Sequence, residues 1–466
     1  MASPQDHSRQ ITVRPKVLAF LTNHLTLIIL LAAALVLRIL IFQNATPLLN
    51  TDSITYLVLH DMDPVRTPGY PLFIEALQFF NDLLSITPQY LRLIVFFQMF
   101  LLGMVNTYLV YALSRVLSRS EGFSLFMGLI FNLDYFVIGF EFIILTETLT
   151  FTLLGLTLLF YLKIFEGKRS APYLAGVFSV WLLLTRPTYV ALFAFLLGLT
   201  AFSHLRQVVK GGYIKRYAKP LAIFLVINLV GIGSWCLRNK IKYDYFSISL
   251  ILPYQLSYYT LNFYEKYKKG SDQELDKYFE ILSEEKGQPY NFGYRLSTEM
   301  KMPKAEIARI LLKLNVKLIR ENFGDYLNLV PVAASGYFDY SWFWTVPRNK
   351  MLFSRVRFLA KLFIFFFQVY AKVFRNVITL LILIVLVPVA FIITSRKRKD
   401  VYHLLWLMEG VIHYNFLVSV LLTNAGINNL RFRVPVEPFI LVIFYGALFT
   451  WGRSIFRRIL KLRAAG

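Results

Sequence analysis

Residues 17–42 read VLAFLTNHLTLIILLAAALVLRILIF, a nearly unbroken apolar stretch. A helix that crosses a bilayer needs about 20 predominantly apolar residues, and this stretch is longer than that. It is also longer than the apolar part of a cleavable signal peptide, and its small residues 32–34 lie inside the run rather than just after it. We therefore expect residues 17–42 to remain in the chain as a first membrane span.

The composition of the whole chain points the same way. Of its 466 residues, 57% are hydrophobic and only 17% are charged, whereas soluble domains average about a quarter charged residues. The net charge of +23 comes from basic residues in the short segments between apolar runs, a pattern that orients membrane proteins. We therefore expect no nucleic-acid partner. The single cysteine, Cys236, excludes an internal disulfide and a cysteine metal cluster.

Further apolar runs predict a polytopic, all-α membrane protein with about ten spans. The predicted spans are 17–42, 89–113, 122–140, 147–165, 171–185, 187–204, 219–238, 376–394, 401–422 and 437–452. Lysine and arginine concentrate on one side of this arrangement, in the two termini and in the segments 114–121, 163–170, 205–219 and 395–400. The positive-inside rule makes that side cytoplasmic. Both termini are then cytoplasmic, and the loop 43–88 faces the periplasm or the lumen.

The same division predicts three regions. Residues 1–238 form a membrane module that contains the first external loop, 43–88. Residues 239–353 form an external region whose amphipathic stretches, 272–285 and 303–323, predict helices. Residues 354–466 comprise an interfacial helix at about 354–375, where cations alternate with phenylalanines, followed by the last spans.

The first external loop is too long for a simple turn and predicts two short helices on the membrane surface. The pair Thr51-Asp52 can cap a helix that runs to about His60, because such side chains accept hydrogen bonds from free amides. Pro71 suits the first turn of a second helix that runs to Asn81. Apolar residues at helical spacing give this second helix a face for the membrane, namely Leu72, Phe73, Ala76, Leu77 and Phe80.

Charged residues cluster in this loop. Asp52, Asp61, Asp63 and Arg66 lie within about twenty residues of each other, and carboxylates at the mouth of a membrane bundle are costly unless they serve a function. An aspartate followed by the rigid turn Arg66-Thr-Pro-Gly-Tyr-Pro71 supplies a proton acceptor beside a cation that can bind phosphate. The loop therefore predicts a sugar or phosphate transferase that works at the membrane surface.

Other polar residues near the same face each allow two interpretations. Glu147 opens the fourth span, where a helix dipole favours an acid and where a functional acid would also lie. Arg186 can extend toward water at the membrane boundary or bind an anion. The aromatic stretch 336–344, which contains Asp339 and Trp342, can form an interfacial belt or a platform for sugar rings or a lipid chain.

Taken in order, these features resemble the GT-C superfamily of integral-membrane glycosyltransferases, and within it the branch of protein O-mannosyltransferases and lipid A aminoarabinose transferases. The motifs that carry the resemblance span nearly the whole chain. They are Asp52 with Tyr56, the stretch Arg66 to Pro71, Thr146-Glu147, Arg186-Pro187, Trp235 with Arg238-Asn239, and Arg431-Phe-Arg-Val-Pro435. Where many protein mannosyltransferases have an Asp-Glu pair, this chain has Asp52-Ser53, so the acceptor stays open among lipid, glycan and protein.

The resemblance implies a GT-C fold and a polyprenyl-phosphate sugar as donor. Asp52 falls where the family has its catalytic aspartate, and Glu147 falls where some relatives carry a second acid. Arg66 falls near the expected acceptor and donor phosphate, while Arg238, Arg431 and Arg433 are candidates for binding that phosphate. The remaining candidates for substrate binding are Tyr56, Tyr70, Arg186, Asp339 and Trp342.

Several alternatives remain. The chain can instead be a flippase or transporter of a lipid-linked glycan, although its acids lie at the outer face rather than at mid-membrane, or a non-catalytic subunit of glycan assembly. We expect no required cofactor, but Asp52, Asp61, Asp63 and Glu147 would suit Mg²⁺ or Mn²⁺ if they converge. We expect a bacterial inner membrane with the site facing the periplasm, rather than the endoplasmic reticulum.

Overall fold

A computed structural model of the chain describes residues 13–44, 47–57, 66–87, 89–203, 212–270, 272–338, 361, 382–396, 398–422 and 430–465. Its regular secondary structure in these residues is helical, apart from one isolated β-bridge. Six described helices are long and apolar enough to cross a membrane: His24–Gln43, Tyr90–Ser118, Glu147–Phe165, Tyr217–Tyr243, Val401–Leu422 and Glu437–Lys461. The described part of the chain thus has the all-helical architecture of a polytopic membrane protein.

The described part of the N-terminal half has four of the membrane-length helices, while the predicted spans 122–140, 171–185 and 187–204 contain shorter apolar helices. In chain order, the helices of this half are α1 (Val13–Asn44), α2 (Thr51–Leu57), α3 (Gly69–Leu84), α4 (Tyr90–Ser118, with a π-helical segment at Phe97–Leu102), α5 (Glu121–Leu133), α6 (Tyr135–Gly139), α7 (Glu147–Phe165), α8 (Ala171–Thr185), α9 (Leu192–Ser203) and α10 (Gly212–Tyr243).

The described C-terminal half contains a group of shorter helices and two helices that are long and apolar enough to cross a membrane. They are α11 (Ile251–Thr260), α12 (Gln273–Glu284), α13 (Pro289–Glu299), α14 (Lys304–Glu321), α15 (Phe323–Phe338), α16 (Val387–Thr394, after a π-helical segment at Ile382–Leu386), α17 (Lys399–Leu422), α18 (Leu430–Arg433) and α19 (Glu437–Ala465). The helices predicted at 272–285 and 303–323 are confirmed as α12 and α14.

The membrane helices differ in how much of their surface they bury. The spans in α4, α7 and α17 are mostly buried inside the protein, whereas those in α1 and α10 are mostly exposed. The exposed side chains of α1 and α10 are apolar, as Val36 and Val230 illustrate. Such surfaces are unfavourable in water and suit contact with lipid chains. The bundle is therefore built as a buried centre with lipid-facing helices around it.

Helices α11 to α15 pack around a second hydrophobic core, to which Val420 of α17 also contributes. In α14 the residues Ile307, Leu311, Leu314 and Leu318 are buried at helical spacing against this core. Hydrogen bonds join this region to the end of α17, since the Tyr326 hydroxyl donates to the carbonyl oxygen of Leu421 at 2.6 Å. Helices α11 to α15 are thus held next to the C-terminal end of α17.

Two elements differ from their predicted extent. The predicted span 122–140 is broken, because Asp134 has extended backbone angles and separates α5 from α6. In the first loop, α2 ends at Leu57 and the next described residue is Arg66.

Helix α3 buries Tyr70, Phe73, Ile74 and Leu77 and exposes apolar side chains along its opposite side. Of the residues predicted to form one face for the membrane, Leu72 and Phe80 are exposed, whereas Phe73 and Leu77 are buried against the protein.

Candidate functional site

The chain between α1 and α2 is fixed to the loop that precedes α7. The backbone of Leu48 forms a parallel β-bridge with Ile143, with hydrogen bonds of 3.0 Å to the Phe142 carbonyl and 3.1 Å from the Ile144 amide. Gln98 of α4 donates its side-chain amide to the carbonyl oxygens of Glu141 and Ile143. It also accepts a hydrogen bond from the Tyr70 hydroxyl of α3. These bonds bring α2, α3 and the start of α7 together.

The turn before α3 docks on the end of α8. The Thr67 hydroxyl donates to the Thr185 carbonyl oxygen at 3.3 Å, and the Trp181 indole donates to the Gly69 carbonyl oxygen at 3.1 Å. A Cβ atom on Gly69 would lie 2.5 Å from the Thr185 hydroxyl oxygen and 2.6 Å from the backbone carbonyl carbon of Leu184. Only glycine permits this close approach, which sets Arg66 near the segment that carries Arg186.

Asp52 is held by two arginines that are remote from each other in sequence. Its Oδ1 lies 2.6 Å from Nη2 of Arg66, and its Oδ2 lies 2.5 Å from Nη1 of Arg431. The prediction that Asp52 serves as a helix cap is therefore incomplete: Asp52 lies in the first turn of α2, but its carboxylate engages guanidinium groups. About a quarter of the Asp52 side chain remains exposed, with 24% of its surface accessible.

Glu147 lies behind Asp52 and is completely buried. Its Oε1 is 3.1 Å from Nη2 of Arg186, at the end of α8, and 3.3 Å from Nε of Arg431. Arg431 therefore contacts both carboxylates. The Phe432 ring lies against the guanidinium groups of Arg186 and Arg431, with centroid distances of 4.9 and 5.6 Å, which favours their fixed position through cation–π attraction.

The result is a continuous row of alternating charges that we call the Asp52 cluster: Arg66, Asp52, Arg431, Glu147 and Arg186. It contains three cations and two anions, so these groups carry an excess of one positive charge. Its inner end is buried, while the end at Arg66, Asp52 and Arg431 is partly open. An arrangement of this kind can accept one additional anion at the open end.

The electrostatics of the cluster keep Asp52 ionised. Burial acts to raise its pKa, but the charges and hydrogen bonds of Arg431 and Arg66 outweigh that effect and lower the pKa from 3.8 to about 2. Burial likewise acts to lower the pKa of Arg431, yet Glu147 and Asp52 raise it above its ordinary value. Both groups are therefore charged at neutral pH.

Aromatic side chains border the open end. The Arg66 guanidinium lies over the Tyr56 ring at 5.1 Å, and Tyr56 packs edge-to-face with Tyr70. From helices α11 and α13, Tyr258 and Tyr290 approach closely enough for the charge of Asp52 to act on both phenols. Tyr290 is 47% exposed. Sequence reasoning did not identify these two tyrosines, because α11 and α13 are remote in the chain and carry no motif.

The structure does not bring every predicted residue to this cluster. Arg238 stacks on Trp235 and Tyr243 and donates to Asn239 at the end of α10, which favours the interpretation of a cation at a helix end. Arg433 is fully buried and pairs with Glu437 at 2.5 Å, inside the bundle. The predicted roles of Asp339, Trp342, Asp61 and Asp63, and the predicted helix 354–375 apart from residue 361, lie outside the described residues.

A metal site would need several convergent ligands. Among the residues that the structure describes, no group of three or more His, Cys, Asp or Glu side chains is arranged to hold a metal ion. Asp52 and Glu147 are near each other, but arginines already surround their carboxylates.

A second buried ion pair supports the site from inside the bundle. Arg38 of α1 donates from Nε and Nη2 to both oxygens of Glu141, at 2.9 and 2.7 Å, and from Nη1 to Asn132 at 2.5 Å. Arg38 lies within the first predicted span, residues 17–42. A charged residue inside a predicted span is itself a sequence signal of a buried ion pair, because intramembrane ionisable residues are rare and are usually paired.

Comparison with protein-family models and with curated proteins gives no match for this chain.

Proposed function

We propose that the protein is a glycosyltransferase of the GT-C type, which moves a sugar from a polyprenyl-phosphate donor to an acceptor outside the cytoplasm. The observation that carries the proposal is the Asp52 cluster, in which a partly open carboxylate lies between two guanidinium groups. Asp52 follows α1, a helix whose exposed apolar surface suits lipid, by only a short stretch of chain. A polyprenyl-phosphate sugar needs these same elements: a cationic site for phosphate, an adjacent acid and access from lipid.

The charge of the cluster suits this donor. A sugar linked to a polyprenyl phosphate is a phosphodiester with a single negative charge, which balances the excess positive charge of the five cluster residues. Arg66 and Arg431 lie at the open end, with 17% and 16% of their side-chain surfaces exposed. Guanidinium groups bind phosphate oxygens through two parallel hydrogen bonds, so these two arginines are the proposed phosphate ligands.

In the proposed reaction Asp52 acts as the general base. The acceptor hydroxyl oxygen forms a bond to the anomeric carbon as its proton passes to Asp52, and the bond from that carbon to the phosphate oxygen breaks. The electron pair of the broken bond stays on the leaving polyprenyl phosphate, which Arg66 and Arg431 stabilise. Base catalysis of this kind typically contributes about 10²- to 10⁴-fold. Attack from the opposite side of the sugar ring inverts the anomeric configuration.

The low pKa of Asp52 makes it a weak base in the free protein, because both arginines stabilise its ionised form. Donor binding changes this balance. A phosphate that shares the guanidinium groups of Arg66 and Arg431 withdraws their hydrogen bonds and positive field from Asp52, so the pKa of Asp52 rises toward its ordinary value. Base strength would thus develop only when donor is present.

The proposed substrate site is completed by aromatic residues. Tyr258 and Tyr290 lie near the open end of the cluster and offer ring faces and hydroxyl groups, which suit a sugar ring. Tyr56 and Tyr70, also predicted to bind substrate, are buried, and Tyr56 packs against Arg66 instead. Glu147 and Arg186 support Arg431 from the buried side. We also propose that the membrane arrangement has about ten spans, with this site facing the periplasm of a bacterial inner membrane, and that the acceptor is a lipid, a glycan or a protein.

A flippase for a lipid-linked glycan is the second candidate function. The buried pairs Arg38–Glu141 and Arg433–Glu437 favour it, because charges inside a bundle often mark transport pathways. Transport leaves the sugar–phosphate bond intact, whereas transfer breaks it.

A turnover experiment separates these candidates. Purified protein in lipid nanodiscs would be incubated with extracted lipid-linked sugars and a mixture of acceptors, and release of polyprenyl phosphate would be measured by mass spectrometry. We expect release with the wild-type protein and a loss of about 10²-fold or more with Asp52→Asn. An intact donor in every reaction, together with movement of the donor across vesicle bilayers, would favour the flippase.

A further inference from the structure

A basic cavity lies at the end of the bundle remote from the Asp52 cluster. It has a volume of about 390 Å³, within the range of small-molecule sites. Five of its lining residues are cations and three carry hydroxyl groups; the lining comprises Ser118, Arg398, Phe449, Thr450, Arg453, Ser454, Arg457, Arg458 and Lys461. Most of the lining residues belong to α19, which begins at Glu437, and they lie roughly 20 to 36 Å from that start along the helix axis.

The cations of α19 are arranged to face the cavity together. Arg453, Arg457 and Lys461 recur every fourth residue, and Arg458 lies in the adjacent row with Thr450 and Ser454. Like charges at this spacing repel one another and destabilise a helix. No acidic side chain is among the residues that line this cavity. An anion bound in the cavity would offset the repulsion between these positive charges.

The opposite side of the same helical segment is apolar. Ile455, Phe456, Ile459 and Leu460 are all exposed, at 44–61% of their surfaces. This segment is the C-terminal part of the candidate span Glu437–Lys461. A helix with one apolar side and one basic side lies at the boundary between lipid chains and head groups. The cavity therefore opens at the depth where phosphate head groups are located.

Two other elements complete the cavity. Ser118 is the last residue of α4. Arg398 immediately precedes α17, and its Nη2 donates a hydrogen bond to the Leu117 carbonyl oxygen at 3.1 Å. Three separate parts of the chain thus converge there. A basic segment that only oriented the protein in the membrane would need no such enclosure, since the positive-inside effect depends on charge and not on a defined cavity.

We propose that this cavity binds a phosphate-bearing anion at the membrane surface, either the head group of an anionic phospholipid or a soluble phosphate compound. Arg453, Arg457, Arg458, Lys461 and Arg398 provide the charge, and the hydroxyl groups of Ser118, Thr450 and Ser454 provide further hydrogen bonds. The site is separate from the Asp52 cluster, so it holds whether or not the protein transfers sugar.

The test compares Arg453→Gln/Arg457→Gln with the control Lys168→Gln/Arg169→Gln. The control removes the same charge from exposed residues between α7 and α8, at the same end of the bundle but outside the cavity. Binding of phosphatidylglycerol to each protein in phosphatidylcholine nanodiscs would be measured by native mass spectrometry. In a second arm, inorganic phosphate would be added to nanodiscs of phosphatidylcholine alone and the melting temperature recorded.

We expect the cavity variant to bind phosphatidylglycerol roughly 30-fold more weakly than wild type, and the control to bind it normally. Stabilisation of wild type, but not of the cavity variant, by inorganic phosphate alone would identify a soluble ligand as the source. Equal losses in both variants, or no binding to wild type in either arm, would overturn the proposal. If the cavity variant melts early without any anion, Arg458→Gln/Lys461→Gln provides the same comparison.

Discussion

Asp52 is the residue on which the proposed chemistry depends, and its surroundings define what it can do. Its carboxylate lies between Arg66 and Arg431, which makes it a strong acceptor of hydrogen bonds and a weak base until another anion competes for the same cations. Arg431 connects this carboxylate to Glu147 in the interior. A change at either arginine therefore alters the charge state of the whole cluster.

The ionisation of Asp52 makes stability depend on pH. Its pKa is about 2 in the folded protein and 3.8 without these interactions, so the ionised group stabilises the fold above about pH 4, and this contribution is lost as the pH falls through 2. The shift corresponds to about 2 kcal/mol. We expect wild type to be more stable than Asp52→Asn at pH 5, and this difference in the free energy of unfolding to shrink by about 2 kcal/mol between pH 5 and pH 2, as measured by the melting temperatures of the two proteins. A difference that stays constant over this range would show that the carboxylate is not paired in solution.

Arg431 and Arg238 form a matched pair for testing phosphate recognition. Both were predicted to bind the donor phosphate, but only Arg431 contacts Asp52, while Arg238 stacks on Trp235. Replacement of Arg431 by Lys keeps the charge and loses the planar pair of donors. We expect Arg431→Lys to raise the KM for donor by about tenfold, and Arg238→Lys to leave it unchanged. Steady-state kinetics in nanodiscs would measure both, and equal effects would contradict the assignment.

At the scale of elements, the site depends on how the turn before α3 meets the end of α8. Proline and glycine in the motif predicted a rigid turn, and the structure gives the reason for the glycine at position 69, which contacts the backbone of α8. The partner of that turn could not be predicted, since Thr185 and Trp181 are more than a hundred residues away and their hydrogen bonds follow from tertiary packing.

Gly69→Ala should therefore disturb the site. The added Cβ would meet backbone atoms of Leu184 and Thr185 at 2.6 Å, and overpacking of this kind costs about 1–3 kcal/mol. We expect a lower melting temperature and reduced turnover. Gly122→Ala in α5 is the control, because its Cβ would meet nothing within 4 Å and alanine favours a helix. Thermal unfolding of both variants would decide, and an unchanged Gly69→Ala would contradict the close contact.

At the scale of the whole molecule, long apolar runs predicted most of the helices, because a chain in the membrane interior must satisfy its own backbone hydrogen bonds and an apolar run does so as a helix. The amphipathic spacing of α14 likewise predicted its buried face. The convergence of Asp52, Arg431 and Glu147 was harder to predict, since it depends on contacts between elements hundreds of residues apart. The resemblance to glycosyltransferases suggested these residues, but residue spacing alone could not have grouped them or excluded Arg238.

The proposed orientation in the membrane can be tested by cysteine labelling. With Cys236→Ser as background, Thr55→Cys in α2 and Thr298→Cys in α13 introduce exposed thiols on the proposed outer side, and Ser170→Cys introduces one on the proposed inner side. We expect a membrane-impermeant maleimide to label the first two in intact cells and the third only after lysis. Labelling of Thr55→Cys without Thr298→Cys would mean that the external region lies on the other side.

The most direct measurement of the central proposal is an experimental structure of the protein with a polyprenyl-phosphate sugar bound. We predict that the phosphate lies within hydrogen-bond distance of Arg66 and Arg431, that the anomeric carbon faces Asp52, and that the Asp52–Arg431 contact of 2.5 Å lengthens. A donor phosphate bound away from both arginines, with the Asp52 cluster unchanged, would contradict the account.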